Sequence, residues 1–593
     1  MFLYDRVVRY LRMLSNSVIA GGLAAGYLTV LVLQLNPHYP IDPGTIVPLA
    51  LTLGAAYGIN LTVAFYALIV FRQILAVEVL SPGWVSVRLL SWLLTIAATG
   101  GAAVMWLNLR GFSPVLDVET ARRMAAGAIV VSAASVVFLM IGLAHLGRRG
   151  GRSSATILVL TALMSVVMST VLRGPARAAL LPPRLESVAL REPAPGSAGG
   201  RVFMMLLDGA SLDVIAPAVA EGRLPNFGRI FDGGSVMHLA TLRPTQAETV
   251  WSAVATGRTP MHNGVRSSAS YRALGVTPAI SLLPDYCFAQ ALVRFGFLWE
   301  QPHTASDLDA RPLWSILSDQ GVTVGVIGWP LTQPVSPVRG YLVSDTFHRL
   351  SGAELDLEGI AAVWPPSMLE AARASLTNVP EPDPVALVSV MGGPPAGDYD
   401  MASDPDPVVA DRVHAALLDA FAGMPARFGA VRFPGVDAVG HYFLRFASPS
   451  AFGDVSDQER RRYGRVLEQY YGFLDEHVGR MIDALGPDDL LLVVSAFGME
   501  PLSPGKRVLE RLVGNPAISG THERAPDGFL LAFGAPVQPG RPPRASVVDV
   551  APTILYFFGL PVGRDMEGFA RTELFRSAFT AERPVTYIPS YGR

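Results

Sequence analysis

Val202–Leu207 is an unbroken apolar run, VFMMLL, that ends in Asp208 and Gly209. Buried strands of a parallel sheet read this way because both of their faces are covered. An acid at the carboxyl end of such a strand stands where open α/β sheets place their ligands. A buried carboxylate is costly unless it is paired or coordinates a metal. Three later stretches also set acid or histidine after an apolar run: Asp437-Ala-Val-Gly-His441, the segment after Leu490–Ser495, and Gly520-Thr521-His522. Singly, each reads as a loop acid or a hydrogen-bonded histidine; together, in this order, they point to a metal site. Cys287 is the only cysteine, which excludes an intrachain disulfide and a cysteine-based zinc site. Any metal must be held by Asp, Glu and His.

The elements that must position these residues follow from pattern. From Arg201 onward, strand-like runs at Val202–Leu207, Val322–Ile327, Ala430–Phe433, Leu490–Val494 and Phe529–Phe533 alternate with helical stretches. The helical stretches include Thr249–Ala255, Ala410–Phe421, Gln458–Leu485 and Val547–Phe558. Such alternation predicts an α/β domain with a mainly parallel sheet between helices. Ser267–Pro425 has few regular signals and many Pro, Gly and Asp residues, and is expected to hold a cap or insert over the sheet's carboxyl edge.

The N-terminal third has a different character. Hydrophobic residues make up 50% of the 593 and charged residues 16%, with mean hydropathy +0.37. That balance is too apolar for a water-soluble chain. Ser17–Leu35, Ile46–Phe71, Leu89–Leu109, Met124–Leu146 and Ala155–Leu172 are each near the ~20 residues that cross a bilayer. No Asp, Glu or Lys lies inside them, so an ion or proton pathway has little support. The first span has no small-residue cleavage site with a polar sequel and reads as uncleaved. Small residues at Gly21-Gly22, Gly100-Gly101 and Ala125–Ala128 suit close helix packing.

Arg6, Arg9, Arg12, Arg72, Arg88, Arg148, Arg149 and Arg152 fall on one side of these spans. They place the N-terminus in the cytoplasm and, after an odd number of spans, the rest outside. Arg110, Arg122 and Arg123 run against that assignment. Arg173–Gly200, rich in Pro, Ala, Gly and Arg, reads as a tether. The expected organisation is a helical membrane domain over 1–172, a linker over 173–200 and the α/β domain over 201–593, in a multi-pass protein of a bacterial-type inner or cell membrane. A net charge of -2, from 47 Lys+Arg against 49 Asp+Glu, gives no sign of a nucleic-acid partner. The lipid bilayer is the partner expected.

Seven stretches then carry a resemblance: LLDG (Leu206–Gly209), LPNFGRIFDGG (Leu224–Gly234), RPT…WSAVATGRTP (Arg243–Pro260), GVDAVGH (Gly435–His441), VVSAFGMEP (Val493–Pro501), GTHERAPDGFLLAFG (Gly520–Gly534) and DVAPTILYFFGLP (Asp549–Pro561). In this order they resemble the alkaline phosphatase superfamily, and within it the type I phosphodiesterase/nucleotide pyrophosphatase group. The resemblance implies an alkaline-phosphatase-like core and two metal ions, often zinc, beside a Thr or Ser nucleophile. It assigns one ion to Asp437, His441 and His522, and gives Asp208 the first-strand ligand position of the other. Where the family has Ser-Asp-His-Gly, this chain reads Ser495-Ala496-Phe497-Gly498, so the second site loses two ligands. Unless an arginine supplies the missing cation, the Asp208 pKa is expected to rise.

The nucleophile position falls on Ala247, flanked by Thr245 and Thr249 as alternative attacking groups. Thr245 suits a helix N-cap better. Glu248 is a replacement ligand or simply a first-turn acid, and Asn263 takes the place of a family histidine. His348, near Asp345, could line the pocket, whereas His238, His303, His414 and His477 read as surface or satisfied core residues. Arg266, Arg339 and Arg445 are weaker candidates for gripping phosphate. The expectation is a membrane-anchored, metal-dependent phosphodiesterase or phosphoryl transferase. It would hold one divalent ion, zinc by preference with manganese also compatible, and act outside the cytoplasm on a phosphoester or phospholipid-type substrate. The alternative is a catalytically inactive binding or assembly protein on the same fold.

Overall fold

The computed structural model describes residues 2–75, 82–146, 152–176, 200–273, 279–377, 406–424, 426–513, 517–522 and 526–592. Most of the expected tether, residues 177–199, lies outside them, as do Arg148 and Arg149. The chain divides into two compact units, one of residues 1–181 with 269–302 and the other of residues 182–268 with 303–593.

The first unit is built on five helices long and apolar enough to cross a membrane. They are α1 (Phe2–Leu35), α2 (Pro43–Leu75), α3 (Val87–Phe112), α4 (Val118–Leu146) and α5 (Arg152–Arg173). Helix α1 packs against the other four. Glycines let it do so: a Cβ on Gly21 would fall 2.5 Å from the Thr62 hydroxyl, and one on Gly101 2.9 Å from the Tyr27 ring. The outer faces stay apolar, with Leu51, Ile59, Val136, Leu160, Leu163 and Val171 all exposed. A surface of this kind fits lipid and would aggregate in water.

Asn16, in the first half of α1, donates to the carbonyl of Gly83 and accepts from Ser86 N, so α3 starts beside that half of α1. Two of the contrary arginines have local partners. Arg122 and Arg123 pair with Glu119, and Arg123 also donates to the Arg173 carbonyl.

Of the expected cap over Ser267–Pro425, residues 378–405 lie outside the described residues, and the described part is not one insert. Ala269–Pro302 belongs to the helical unit, because Ile280, Leu282, Leu283, Leu292 and Leu298 share its apolar core. Leu313–Asp319 and Val324–Ile327 instead form a helix and a strand of the second unit.

The second unit is organised by a nine-stranded sheet. Its strands are β1 (Val202–Leu207), β2 (Ser235–Ala240), β3 (Val324–Ile327), β4 (Gly340–Val343), β5 (Val363–Trp364), β6 (Phe428–Phe433), β7 (Leu490–Phe497), β8 (Asp527–Phe533) and β9 (Ala545–Ser546). They lie in the order β9-β2-β8-β7-β1-β6-β3-β4-β5. Strands β7, β1, β6, β3 and β4 run parallel, and β8 is antiparallel to both neighbours. Side chains alternate between two cores: Met205 and Leu207 face one, Val202, Met204 and Leu206 the other. The expected helix Gln458–Leu485 is two, Asp457–Tyr463 and Val466–Asp483, with Gly464 between them. A Cβ on Gly464 would lie 2.4 Å from the Arg460 carbonyl, and Ser456 and Glu459 form a capping box at the first start.

Entry into β1 is fixed by Asp489, whose carboxylate accepts from Arg201 N at 2.6 Å, Arg201 Nε at 3.0 Å and Gly486 N at 2.8 Å. Burial would raise this carboxyl, but those hydrogen bonds more than offset it and hold it below the usual aspartate range. Its contribution to stability is therefore present above the ordinary aspartate pKa of about 3.9 and lost as pH falls through the lower folded value. Asp489→Asn is expected to cost about 1–3 kcal/mol at neutral pH. The gap from wild type should close on acidification, as read from thermal melts at stepped pH.

Candidate active site

The site lies at the carboxyl edge of the sheet. Strand β1 ends at Leu207 and delivers Asp208; β6 ends at Phe433 and leads through Pro434 into helix α7 (Gly435–Ala447). Asp437 and His441 sit four residues apart on α7, hence on one face. His522 follows Gly520–Thr521, a short strand paired with Glu500–Pro501. One donor atom from each of Asp437, His441 and His522 lies within 4.8 Å of the others, the only such grouping among the described residues.

Each histidine is aimed by its second nitrogen. His441 Nδ1 lies 2.9 Å from the Gly520 carbonyl and His522 Nδ1 2.8 Å from the Thr245 carbonyl. A carbonyl only accepts, so both Nδ1 atoms carry the proton and both Nε2 lone pairs are left for another partner. His441 Nε2 is 3.4 Å from Asp437 Oδ2, while Asp437 Oδ1 is buried with no hydrogen-bond partner. Burial raises the Asp437 carboxyl, but His441, His522 and Arg432 outweigh it and hold it below the usual aspartate range. A carboxylate and two imidazole Nε2 atoms with an orphaned buried oxygen among them fit a divalent metal, and suit zinc.

The start of α7 is set from behind. Buried Asp411 accepts from Gly435 N at 3.0 Å and from the Tyr470 hydroxyl. Gly209 is required in front: its φ is +67°, and a Cβ there would meet Asp437 Oδ1 at 2.4 Å.

Asp208 departs from its expected role. Its carboxylate is gripped by Arg432, Nη2 to Oδ2 at 2.5 Å and Nε to Oδ2 at 3.1 Å, and Trp251 Nε1 donates to Oδ1 at 2.7 Å. The side chains are 3% and 14% exposed for Asp208 and Arg432. The aspartate that the resemblance made a metal ligand is thus an ion-pair partner outside the Asp437 cluster. The cation that the second metal would have supplied beside Asp208 is supplied by Arg432. Burial opposes the Arg432 charge, but Asp208, Glu248 and Asp345 overcome it and keep the guanidinium protonated. Its carbonyl is held in turn by His414 Nδ1 at 2.7 Å, a ring that burial and His348 push down to about 3.

Sequence reasoning passed over Arg432 in favour of Arg266, Arg339 and Arg445. The signal was a lone cation inside the apolar strand FGAVRF, which the register places opposite Leu206, two residues before Asp208.

The remaining candidates sort by their contacts. Helix α6 (Ala247–Thr256) has Gln246, not Thr245, at its N-cap, and no side chain caps it. The chain is still turning at Thr245, whose hydroxyl donates back to Leu242 O at 2.9 Å while its carbonyl aims His522. Thr249 is fully buried. Glu248 lies in the first turn of α6; burial, reinforced by Asp208 and Asp345, raises its carboxyl against the pull of Arg432. Asn263 is a loop staple: its amide donates to Ser252 Oγ and Arg258 O and accepts from Val265 N. His348 packs edge-on against His414 with centroids 5.9 Å apart, away from the Asp437 cluster. Phe497 fills the vacated ligand position with a buried ring 5.2 Å from that of His522.

No curated protein matches the chain. Solved structures that resemble it include murine ectonucleotide pyrophosphatase/phosphodiesterase 5, at 12% identity and a TM-score of 0.36 over 63% of this chain and all of that one. A mutant of the alkaline phosphatase PafA follows at 13% identity and a TM-score of 0.37, over 64% of this chain and 99% of that one. The family model for type I phosphodiesterase/nucleotide pyrophosphatase matches residues 202–537, more than half of the chain and the whole span from Asp208 to His522. The chain therefore belongs to the type I phosphodiesterase/nucleotide pyrophosphatase family, the branch of the alkaline phosphatase superfamily that its motifs resemble.

Proposed function

We propose that this protein is a membrane-anchored phosphoester hydrolase whose site pairs one divalent metal ion with one fixed guanidinium. The observation that carries the reading is the buried, unpartnered Asp437 Oδ1 beside two imidazoles whose Nδ1 protons are already committed. Asp437, His441 and His522 would hold the ion, which when bound polarises phosphoryl oxygen and acidifies water. Arg432, paired with Asp208, would present positive charge to a phosphoester without an ion. Glu248 keeps its proton to higher pH than an ordinary glutamate and is the group able to hold a proton for a leaving oxygen. The Thr245 hydroxyl is spent on Leu242 and Thr249 is buried, so the attacking group is water.

The test combines metal analysis with hydrolysis of a chromogenic phosphodiester by the full-length protein. One equivalent of zinc and slow, metal-dependent turnover are expected; two equivalents within ~4 Å of each other, as two-metal sites have, would overturn the reading. The other reading, a binding or assembly protein without turnover, is favoured by Ala247 at the nucleophile position, and phosphoester binding with no hydrolysis would establish it.

The bilayer is the expected setting, with the second unit outside the cytoplasm, since Arg9, Arg12, Arg72 and Arg88 gather at the opposite helix ends from Asn36 and Arg173. A cysteine introduced at Gly196 should react with an impermeant maleimide in intact cells. Labelling only after the cytoplasmic side is opened would reverse the topology.

A further inference from the structure

We propose that residues 279–299 form an interfacial membrane anchor, with Tyr286, Phe288, Phe295 and Trp299 seated in the headgroup layer around the helical unit. The segment is bolted to one end of the spans. Asn36, one residue beyond α1, accepts from Ser281 N at 2.8 Å and Leu282 N at 2.9 Å and donates to Leu282 O at 2.8 Å. Asn108, in the last turns of α3, accepts from Asp285 N at 2.8 Å and donates to Asp285 O at 2.9 Å. Arg173 closes α5 at this same end by donating to the carbonyls of Leu33, Asn36 and Tyr39. The segment therefore lies at the depth where three spans finish, which is where a bilayer changes from hydrocarbon to headgroup.

Its side chains divide accordingly. Ile280, Leu282, Leu283, Leu292 and Leu298 are buried in the helical unit. Tyr286, Phe288, Phe295 and Trp299 are 54%, 53%, 69% and 48% exposed. The chain accepts strain to achieve this: Tyr286 and Phe288 have φ of +63° and +55°, a region costly for bulky residues. Between them Cys287 turns inward, its sulfur 3.6 Å from the Tyr57 hydroxyl and 3.5 Å from the Pro284 carbonyl. Inward Cys287 leaves the flanking rings facing out. Amphipathic aromatic rings at the end of a span are stable at the headgroup boundary. The exposed apolar surface of α4 and α5 fits a bilayer around the same unit.

The experiment uses the full chain in lipid nanodiscs. Spin labels are placed by Phe288→Cys or Phe295→Cys in a Cys287→Ser background, with Glu582→Cys as the water-exposed reference. Collision with oxygen relative to a water-soluble nickel chelate should be several-fold higher at 288 and 295 than at 582. Chelate access equal to that at 582 would overturn the proposal. So would a label shielded from both agents, the result for a surface covered by a second copy or another protein. A measurement without introduced cysteines guards against misfolding: brominated phosphatidylcholine should quench a component of wild-type tryptophan emission that Trp299→Phe removes. An unchanged quenched fraction would count against the anchor.

Discussion

Arg432→Met is expected to destabilise the sheet unit by about 3 kcal/mol or more, because it strands the Asp208 charge in a place water hardly reaches. The carboxylate would keep the Trp251 Nε1 donor and lose the three guanidinium contacts. Asp208→Asn alone should cost less, since the amide oxygen still accepts from Trp251. The decisive measurement is the double variant Asp208→Asn/Arg432→Met, which removes both charges and should be more stable than Arg432→Met. Melts of the full chain under one detergent condition give the comparison. If Arg432→Met lies within about 0.5 kcal/mol of wild type, as a surface substitution would, the pair is not what holds this edge of the sheet. A second consequence concerns the metal count. Ala247→Thr, Ala496→Asp and Phe497→His restore the family residues but leave Arg432 on Asp208, so they should not add a second equivalent of metal.

Asp437→Ala should remove the metal altogether. It deletes one of three donors, and loss of even an outer-shell partner costs 10–100-fold in affinity, so the drop should exceed about 100-fold. With the proposed site, zinc at 100 times its dissociation constant would stabilise the wild-type fold by about 2.7 kcal/mol through linkage. The wild-type melting temperature should therefore climb with added zinc and fall back with chelator, while the variant should respond to neither. Phosphodiester hydrolysis should vanish in the same variant. Zinc-dependent stabilisation that survives Asp437→Ala would place the ion elsewhere.

Much of this site could be read from the residues because its chemistry is local. Asp437 and His441 share a helix face by spacing alone, and the apolar run before Asp208 marks a buried strand end. The helical unit was legible for the same reason: each span satisfies its own backbone, so a run of apolar residues of the right length suffices. What stayed hidden depends on partners far apart in the chain. Arg432 meets Asp208 across 224 residues, and only the parallel register of β6 on β1 brings them together. Thr245 was misread because its hydroxyl had two outlets, the helix start and the Leu242 carbonyl, and the local turn took the second. Ala269–Pro302 gave no sign of joining the helical unit, since the asparagine amides that dock it contact only its backbone.

A metal ion must be acquired from the surroundings, whereas a guanidinium is made with the chain. At the Asp208 position the positive charge is therefore set at translation: chelators cannot strip it, scarcity cannot dilute it, and a competing metal cannot replace it. In the proposed site, dependence on supply is confined to the Asp437 cluster. On the proposed one-ion site, a cell short of the metal would accumulate this protein half-charged rather than uncharged, folded around Arg432 and waiting for one ion only.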